Sequence, residues 1–519
     1  MKVLASSSYE SQPYEAKAIP QAHPDRLAVV ARFHGFLAAK ANACRYLDVG
    51  CADGAHLIPL ALEFPESTFV GVELSPSQAE RAQRAISELG LTNVTVHCGD
   101  FTQVELGGGF DYVVAHGLYS WVPPEVQDAL IRKTAEWLAP NGVGYLSYNV
   151  YPGSYVRDAV RSIGLEFSPP ETDPKKALYG LRAISKAFAA SIYSERPLGS
   201  AIAREFERVA GAADSQVCHD WFEANMQPVY FADFARHLAR HDLRFLAEVT
   251  LPPGVAQISA DGQKLLAQLA KDVIKREACV DVLTCNAFRC TLVARASALP
   301  PRRVDRGRVR VLMMSSVARI EGEPTLKEGA AVTFLGSHGE RFQLSQGLAK
   351  AALFELIEQA PVMLGFELLV ERARARLAAQ GMPAPALEVA QQELEVAVFE
   401  LHLMGCVDLR EHSARCVLEP GERPLVSPWL RWLALRSKWF VNASHVPVLI
   451  DDADVCRLIP LLDGSRDRQA LLGAWRQALG GEARAAMSLH RLTSTLKQLA
   501  KLGLLQVAPS EEPRSSPAE

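Results

Sequence analysis

Long apolar segments are missing from this chain of 519 residues. No run approaches the ~20 consecutive apolar residues that a membrane-spanning helix needs, and residues 1–10 lack the apolar centre of a signal peptide. We therefore expect a cytoplasmic protein without integral membrane contact. The chain is too long for a single hydrophobic core, so we expect several domains.

An excess of one charge and metal-type cysteine spacing are missing as well. The 55 basic and 59 acidic residues leave a net charge of -4, which gives no electrostatic basis for binding nucleic acid. Cys279, Cys285 and Cys290 lie close together in the sequence but without the C-x-x-C spacing of a zinc site. We expect reduced thiols, no metal and no nucleic-acid partner.

Strand-like and helix-like segments alternate in the first third of the chain. Short apolar segments at 45–50, 68–73, 93–98, 110–115 and 143–148 are separated by helical patterns, among them 55–64 and 125–138. Such alternation is typical of βαβ units, in which a parallel sheet has helices on both faces. The predicted fold class is α/β, with a Rossmann-like sheet.

Glycines and carboxylates follow three successive strands, where ligands bind in open parallel sheets. The first strand ends in DVGCADG at 48–54, and glycines at 50 and 54 let the backbone approach a ligand closely. Glu73 ends the second strand and is placed to accept from the hydroxyls of a ribose. After the third strand, Asp100 is placed to accept from an adenine amino group and Phe101 to cover the face of the base.

The ligand predicted by these residues is an adenosine that carries a cation. The G-x-G-x-x-G fingerprint of dinucleotide enzymes is missing, because Ala52 and Asp53 follow Gly50. Asp48 and Asp53 would repel a pyrophosphate and attract an ammonium group. The predicted cofactor-binding residues are Asp48, Gly50, Cys51, Asp53, Gly54, Glu73, Leu74, Gln78, Gly99, Asp100, Phe101 and His116.

These motifs resemble those of class I methyltransferases: DVGCADG their first motif, Glu73 their second, GDF at 99–101 their third, and LAPNG at 138–142 the turn before strand five. Ala52 stands where the middle glycine is usual. Segments 22–27, 116–123, 147–153, 225–231 and 288–292 are similar to bacterial methyltransferases with a methyltransferase regulatory domain, a group that includes the rickettsial outer-membrane-protein lysine methyltransferases. The resemblance implies S-adenosylmethionine as the cofactor.

Aromatic and amide side chains follow strands four and five, where the methyl acceptor would lie. The predicted catalytic residues are His116, Tyr119, Trp121, Tyr148 and Asn149, with Tyr151 close by. Rings can desolvate an amine and an amide can orient it, which favours a protein or peptide lysine as substrate. The alternatives are that Trp121 and Tyr148 are core rings, that the substrate is a small molecule, or that the chain is a regulatory protein retaining only the cofactor fold.

The remaining segments suggest further modules. Residues 1–153 comprise an N-terminal segment and five strands, 154–225 a helical insertion acting as a lid or dimerisation arm, and 226–300 an antiparallel hairpin completing the sheet. A leucine pattern near 394–409 recurs near 492–507, which predicts winged-helix-like modules at 301–420 and 421–508. The apolar helices at 394–403 and 492–502 favour peptide recognition or a structural role over DNA binding. We expect a homodimer and a disordered tail at 509–519.

Overall fold

The computed structural model describes residues 16–168, 174–221, 223, 225–252, 254–336, 341–479 and 487–507. The predicted tail at 509–519 lies outside the described residues. Among the helices in the described ranges, none combines the length and the apolar character that crossing a bilayer requires.

A seven-stranded sheet organises the first 300 residues, in the order β3-β2-β1-β4-β5-β7-β6. The first five strands are parallel, and β7 runs antiparallel to both β5 and β6. The α/β fold class and the closing hairpin are therefore confirmed. The strands are β1 (Arg45–Val49), β2 (Thr68–Glu73), β3 (Val94–Cys98), β4 (Phe110–Ala115), β5 (Leu138–Asn149), β6 (Leu243–Glu248) and β7 (Phe288–Arg295).

Helices connect these strands and form the insertion. Before the insertion come α1 (Pro24–Phe33), α2 (Leu57–Glu63), α3 (Pro76–Glu88) and α4 (Pro124–Trp137). The insertion contains α5 (Tyr155–Phe167), α6 (Pro174–Ser191), α7 (Pro197–Gly211) and α8 (Asp214–Trp221), which share a small core of their own. The chain then returns to the sheet through α9 (Phe231–Arg240), α10 (Ala260–Gln268) and α11 (Val273–Thr284).

Local sequence explains where α3 begins, whereas β5 begins earlier than the sequence predicts. The Ser75 hydroxyl accepts a hydrogen bond from the backbone N–H of Gln78, and Pro76 occupies the first turn, so α3 begins where the sequence predicts. The segment predicted as the turn before strand five, 138–142, is assigned to β5, which begins at Leu138, but only Leu138 of these five residues pairs with β4. The register between β4 and β5 shifts between Phe110 and Tyr112, which absorbs the extra residues.

The C-terminal half holds two helical modules. The first contains a sheet of β12 (Leu364–Gly365), β8 (Met313–Ser316) and β13 (Val407–Arg410), and a second sheet of β9 (Arg319–Glu321), β10 (Val332–Leu335) and β11 (Arg341–Leu344). Its helices are α12 (Gly347–Gln359), α13 (Phe366–Ala379) and α14 (Leu387–Leu403). The second contains α15 (Pro428–Leu433), β14 (Trp439–Val441), β15 (Pro447–Leu449), α16 (Ala453–Leu458), α17 (Arg468–Ala478) and α18 (Leu489–Lys501).

The repeated leucine pattern corresponds to α14 and α18, each of which is followed by a glycine with positive φ. Gly405 has φ +71° and Gly503 has φ +72°, a conformation that ends a helix without strain only for glycine. A winged-helix outline has a strand after the last helix, and in the first module that strand is β13. In the second, Gln506 N–H donates to the Leu425 carbonyl, but residues 504–507 form no regular strand.

Both modules share buried surfaces with the sheet domain. Val29 and Phe33 of α1 belong to the core of the first module, and Ile58 of α2 belongs to the core of the second. The Arg26 guanidinium lies 2.6 Å from Asp408 Oδ1. The modules therefore pack as parts of one molecule rather than as independent units.

Candidate functional site

The turn after β1 contains two glycines, Gly50 and Gly54, and only Gly50 has open space where a side chain would be. Gly50 has φ +83°, and a Cβ built on it would meet nothing within 4 Å. Gly54 has φ +78°, and its Cβ would lie 2.9 Å from Ile58 Cδ1. Gly54 is thus required by packing against α2, while the open side of Gly50 gives a ligand close access to the backbone.

Asp48 and Asp53, two of the acids at this edge of the sheet, have different surroundings. Asp48 is 2% exposed, and burial together with the charge of Glu73 raises the pKa of Asp48 to about 7. A cation bound beside Asp48 would oppose both effects. Asp53 already has one, because its Oδ2 lies 3.3 Å from Arg81 Nε. Asp48 is therefore the acid whose charge a cationic ligand would offset most.

Glu73 holds the first two strand ends together. Its Oε2 accepts from the N–H of Ala52 and its Oε1 from the N–H of Ser75, each at 2.8 Å. Burial raises the pKa of the Glu73 carboxyl, and these backbone donors act in the opposite direction. Since each carboxylate oxygen has two lone pairs, the carboxylate can still accept from a ligand hydroxyl.

The other predicted cofactor residues differ in accessibility. Gly99 N–H donates to the Glu73 carbonyl at 2.8 Å, which fixes the end of β3 beside β2. Asp100 Oδ1 accepts from both the N–H and the hydroxyl of Thr102, so Oδ2 is the oxygen that can accept from a ligand. Phe101 is half-buried, Cys51 and Gln78 are buried, and Leu74 is 49% exposed.

His116 lies directly after β4 and was predicted both to bind the cofactor and to be catalytic. Its Nδ1 shares a hydrogen bond of 2.9 Å with the Tyr145 hydroxyl, and its ring stacks on that of Tyr145. Phe288 meets the imidazole edge-on, with ring centroids 5.9 Å apart. Burial lowers the pKa of His116 to about 4, so the imidazole is neutral at physiological pH.

The structure places Tyr119 and Tyr148 in the core, at 2% and 1% exposure. Tyr148 stacks on Phe234 at 3.9 Å and its hydroxyl pairs with Thr291, while the Tyr119 hydroxyl pairs with His237. For Tyr148 this placement favours the alternative of a core ring, and it puts Tyr119, which was predicted to be catalytic, in the core as well. Trp121 is only half-buried.

Asn149 ends β5 and carries a buried side-chain amide. Its backbone N–H donates to Ser120 Oγ at 2.9 Å and its carbonyl accepts from Val229 at 3.1 Å. Within the described residues, the buried Nδ2 of Asn149 has no hydrogen-bond partner. An unsatisfied buried amide is costly, so a ligand that pairs with it would gain binding free energy.

Three tyrosines just beyond β5 form what we call the tyrosine cluster: Tyr151, Tyr155 and Tyr230. The rings of Tyr151 and Tyr155 stack at 4.3 Å, and Tyr230 lies 5.4 Å from Tyr151. The hydroxyls of Tyr155 and Tyr230 are in contact, and Tyr151 donates to Asp158 Oδ2 at 3.1 Å. Tyr155 and Tyr230 are 50% and 46% exposed.

Sequence reasoning included Tyr151 but missed Tyr155, Asp158 and Tyr230. Tyr155 and Asp158 follow the YPG motif within a few residues, so their proximity to Tyr151 was readable from the sequence. Tyr230 is brought in by a bridge between Val150 and Val229, which joins distant segments. That pairing is a tertiary contact, and no local pattern indicates it.

Three family models match separate parts of the chain. The model of a methyltransferase domain matches residues 47–142, that of a predicted methyltransferase regulatory domain matches 213–295, and that of the PKMT C-terminal winged helix domain matches 422–483. The first match extends from β1 to the start of β5 and includes the four acids Asp48, Asp53, Glu73 and Asp100.

Known proteins resemble nearly the whole chain. An uncharacterized protein of Rickettsia prowazekii is 25% identical over 504 residues, or 94% of this chain and 88% of that protein. The structure of PKMT2 from Rickettsia typhi in complex with AdoHcy superimposes with a TM-score of 0.82 at 20% identity, covering 95% of this chain and 100% of that one. The matched domains and this sheet order identify the chain as a class I S-adenosylmethionine-dependent methyltransferase that carries a methyltransferase regulatory domain and a C-terminal winged-helix domain.

Proposed function

We propose that this methyltransferase modifies an amine of a protein substrate, and that the acceptor is a lysine side chain. The observation that carries the proposal is the tyrosine cluster, which lies at the carboxyl end of β5 and is open to solvent on two of its three rings. A solvent-facing site can receive a side chain that remains attached to a large molecule.

The residues present fit S-adenosylmethionine, which supplies a methyl group on a positively charged sulfur. In this proposal Glu73 and Asp100 accept from the ribose and the adenine, and the open side of Gly50 lets the backbone approach. The Asp48 carboxylate attracts the ammonium group. The bound cation in turn lowers the pKa of Asp48, which is about 7 without it, and so keeps the carboxylate ionised.

The acceptor side must hold a lysine that is charged in water, with a reference pKa of ~10.4. Tyrosine faces attract an ammonium group, and Asp158 beside Tyr151 adds a negative charge nearby. The amine attacks the methyl group only after losing its proton, and because two rings of the cluster face solvent, water can take that proton. The unpaired amide of Asn149 would then orient the amine or the neighbouring peptide.

The helical insertion is proposed to act as the lid of this site. Tyr155 belongs to α5, the first insertion helix. Two residues later, the Arg157 guanidinium lies 5.6 Å from the Trp121 ring and 5.3 Å from the Trp221 ring. Arg157 also pairs with Asp220 at 2.9 Å. These contacts couple the loop after β4 to the insertion, which is what a lid over the acceptor requires.

We also propose that the C-terminal modules recognise peptides. The chain is further proposed to assemble as a homodimer and to be cytoplasmic. Each derives from the sequence patterns described above. The proposed domain limits remain 154–225 for the lid, 226–300 for the closing hairpin, and 301–420 and 421–508 for the two modules.

The test is transfer of a labelled methyl group to a bacterial lysate, with products separated by size. Label in bands of protein size supports the proposal, whereas label confined to small molecules supports a biosynthetic methyltransferase instead. A lysate whose lysines have been acetylated is the matched control, and undiminished labelling there would rule out lysine. Failure of the chain to bind S-adenosylmethionine would favour the regulatory-protein alternative.

A further inference from the structure

Two histidines and one carboxylate converge on the surface between α4 and α9. His237 lies in the last turn of α9, His241 follows four residues later, and Asp128 lies in the first half of α4. The Nε2 atoms of His237 and His241 lie 3.1 and 2.8 Å from the same atom, Asp128 Oδ1. All three candidate ligand atoms lie within 4.8 Å of one another.

We propose that Asp128, His237 and His241 bind a divalent transition-metal ion of the Zn²⁺ type, which joins α4 to α9. Zinc ligands of this kind lie ~2.0–2.2 Å from the metal, so they are roughly 3.4 Å apart in a tetrahedral site. Two imidazoles spaced i, i+4 and one carboxylate are a common set for such ions. Hard cations such as Mg²⁺ prefer all-oxygen sites and fit poorly here.

The second ring nitrogen of His237 supports this assignment. His237 Nδ1 shares a hydrogen bond of 2.8 Å with the Tyr119 hydroxyl, so the Nε2 lone pair is aimed at the metal position when Nδ1 carries the proton. Metal binding requires the Nδ1–H tautomer of both His237 and His241, because both Nε2 atoms share a hydrogen bond with the Asp128 carboxylate in the absence of a metal. The Tyr119 hydroxyl permits that tautomer in His237, since a tyrosine hydroxyl both donates and accepts.

The triad is accessible, and three protein ligands leave room for a water molecule. The side chains of Asp128, His237 and His241 are 46%, 9% and 17% exposed. The nearby cation is Arg240, whose Nη2 lies 3.6 Å from Asp128 Oδ1. Its side chain is 65% exposed, so it can turn into solvent when a metal replaces it as the partner of Asp128.

A bound metal would also affect the loop after β4. Tyr119 belongs to that loop, and the proposed site holds its hydroxyl through His237. Trp121 and the predicted acceptor residues lie on the same loop or beside it. The metal would thus act as a cross-link that stiffens the wall of the methyltransferase site, without touching the cofactor or the acceptor.

The experiment is titration of the metal-free full-length chain with Zn²⁺ in a calorimeter. We expect about one equivalent to bind, and we expect His241→Gln and Asp128→Asn each to weaken binding at least tenfold, as loss of a ligand does. Zinc should raise the melting temperature of the wild type and have little effect on that of either variant. His490→Gln, at an exposed histidine, is the matched control and should bind as the wild type does.

Binding at another cluster must be told apart. His23, Glu63 and His445 also lie within ligand distance of one another, at a buried position. Zinc binding that is lost in His445→Asn and kept in His241→Gln would overturn the proposal. So would a wild type that binds no zinc, or variants that bind it unchanged while circular dichroism shows them folded.

Discussion

His56 Nδ1 and His445 Nε2 are joined by a hydrogen bond of 2.8 Å, although 389 residues separate them in the chain. His56 lies in the loop that follows the first cofactor motif, and His445 lies in the second C-terminal module. The hydroxyl of Tyr46 in β1 holds the other ring nitrogen of His56 at 2.8 Å. The cofactor end of the sheet is therefore linked directly to the most distant module.

This buried histidine group makes stability depend on pH. Burial lowers the pKa values of His23, His56 and His445 below 6.5, and in His56 and His445 a neighbouring histidine lowers them further. Below pH 6.5 the unfolded chain binds protons that the folded chain excludes. The contribution of these histidines to the free energy of unfolding therefore has its full value above pH 6.5. It falls as the solution is acidified, by up to about 1.4 kcal/mol per pH unit for each histidine.

Urea unfolding at a series of pH values checks this dependence. His445→Asn should make the acid slope shallower, and asparagine tolerates the φ of +58° at this position. His490→Gln, at an exposed site, should leave the slope unchanged. Equal slopes in all three proteins would contradict the assignment of the acid sensitivity to the buried group.

Arg289 is the second buried group with a large expected effect. Its side chain is 0% exposed and pairs with Glu248, Glu277 and Asp281. Arg289→Met should cost ~3–5 kcal/mol of stability, because three buried carboxyl groups lose their cation. Arg132→Met removes only an exposed pair with Glu136 and should cost less than about 1 kcal/mol. Thermal or urea unfolding of both variants compares the two.

Glu73→Gln should weaken S-adenosylmethionine binding by roughly 10- to 100-fold, through loss of charged acceptors for the ribose. Glu73 also fixes the loops at Ala52 and Ser75, so the melting temperature must be measured on the same preparation. Glu321→Gln, in an exposed pair with Arg341, is the control. Calorimetry that gives unchanged affinity for a folded Glu73→Gln variant would reject the ribose assignment.

Removal of residues 302–519 should destabilise the methyltransferase domain. Val29 and Phe33 would lose the core into which they pack, and the buried Asp25 carboxylate would lose the N–H donors of Glu411 and His412. We expect low soluble yield and weak cofactor binding from the truncated chain. A monodisperse truncated protein with full cofactor affinity would show that the contacts between the domain and the modules contribute little.

Trp121→Ala should lower kcat by about tenfold or more while sparing cofactor affinity, if the ring orients the acceptor or anchors the lid through Arg157. A core ring of this size would instead cost ~3–5 kcal/mol of stability and reduce every function together. Melting temperature, cofactor affinity and kcat measured on one preparation separate the two cases. Proportionate losses in all three would reject the proposed role.

The sequence by itself determined the sheet and its cofactor edge. Alternating strand and helix patterns predict βαβ units, and Asp48, Gly50, Glu73 and Asp100 lie at or just beyond the ends of successive strands. Because parallel strands end at one edge of a sheet, residues at successive strand ends must meet there. Local periodicity and strand order are sufficient for that conclusion.

Only the tertiary structure decided which rings face solvent and which distant groups meet. Tyr148 points into the core beside Phe234, whereas Tyr151, three residues later, joins Tyr230 beside the insertion. His56 meets His445, and Asp128 meets His237 and His241, through packing between elements far apart in sequence. Such contacts depend on how whole helices and modules pack against one another. The free energy of that packing comes from many buried residues, so no local motif predicts it.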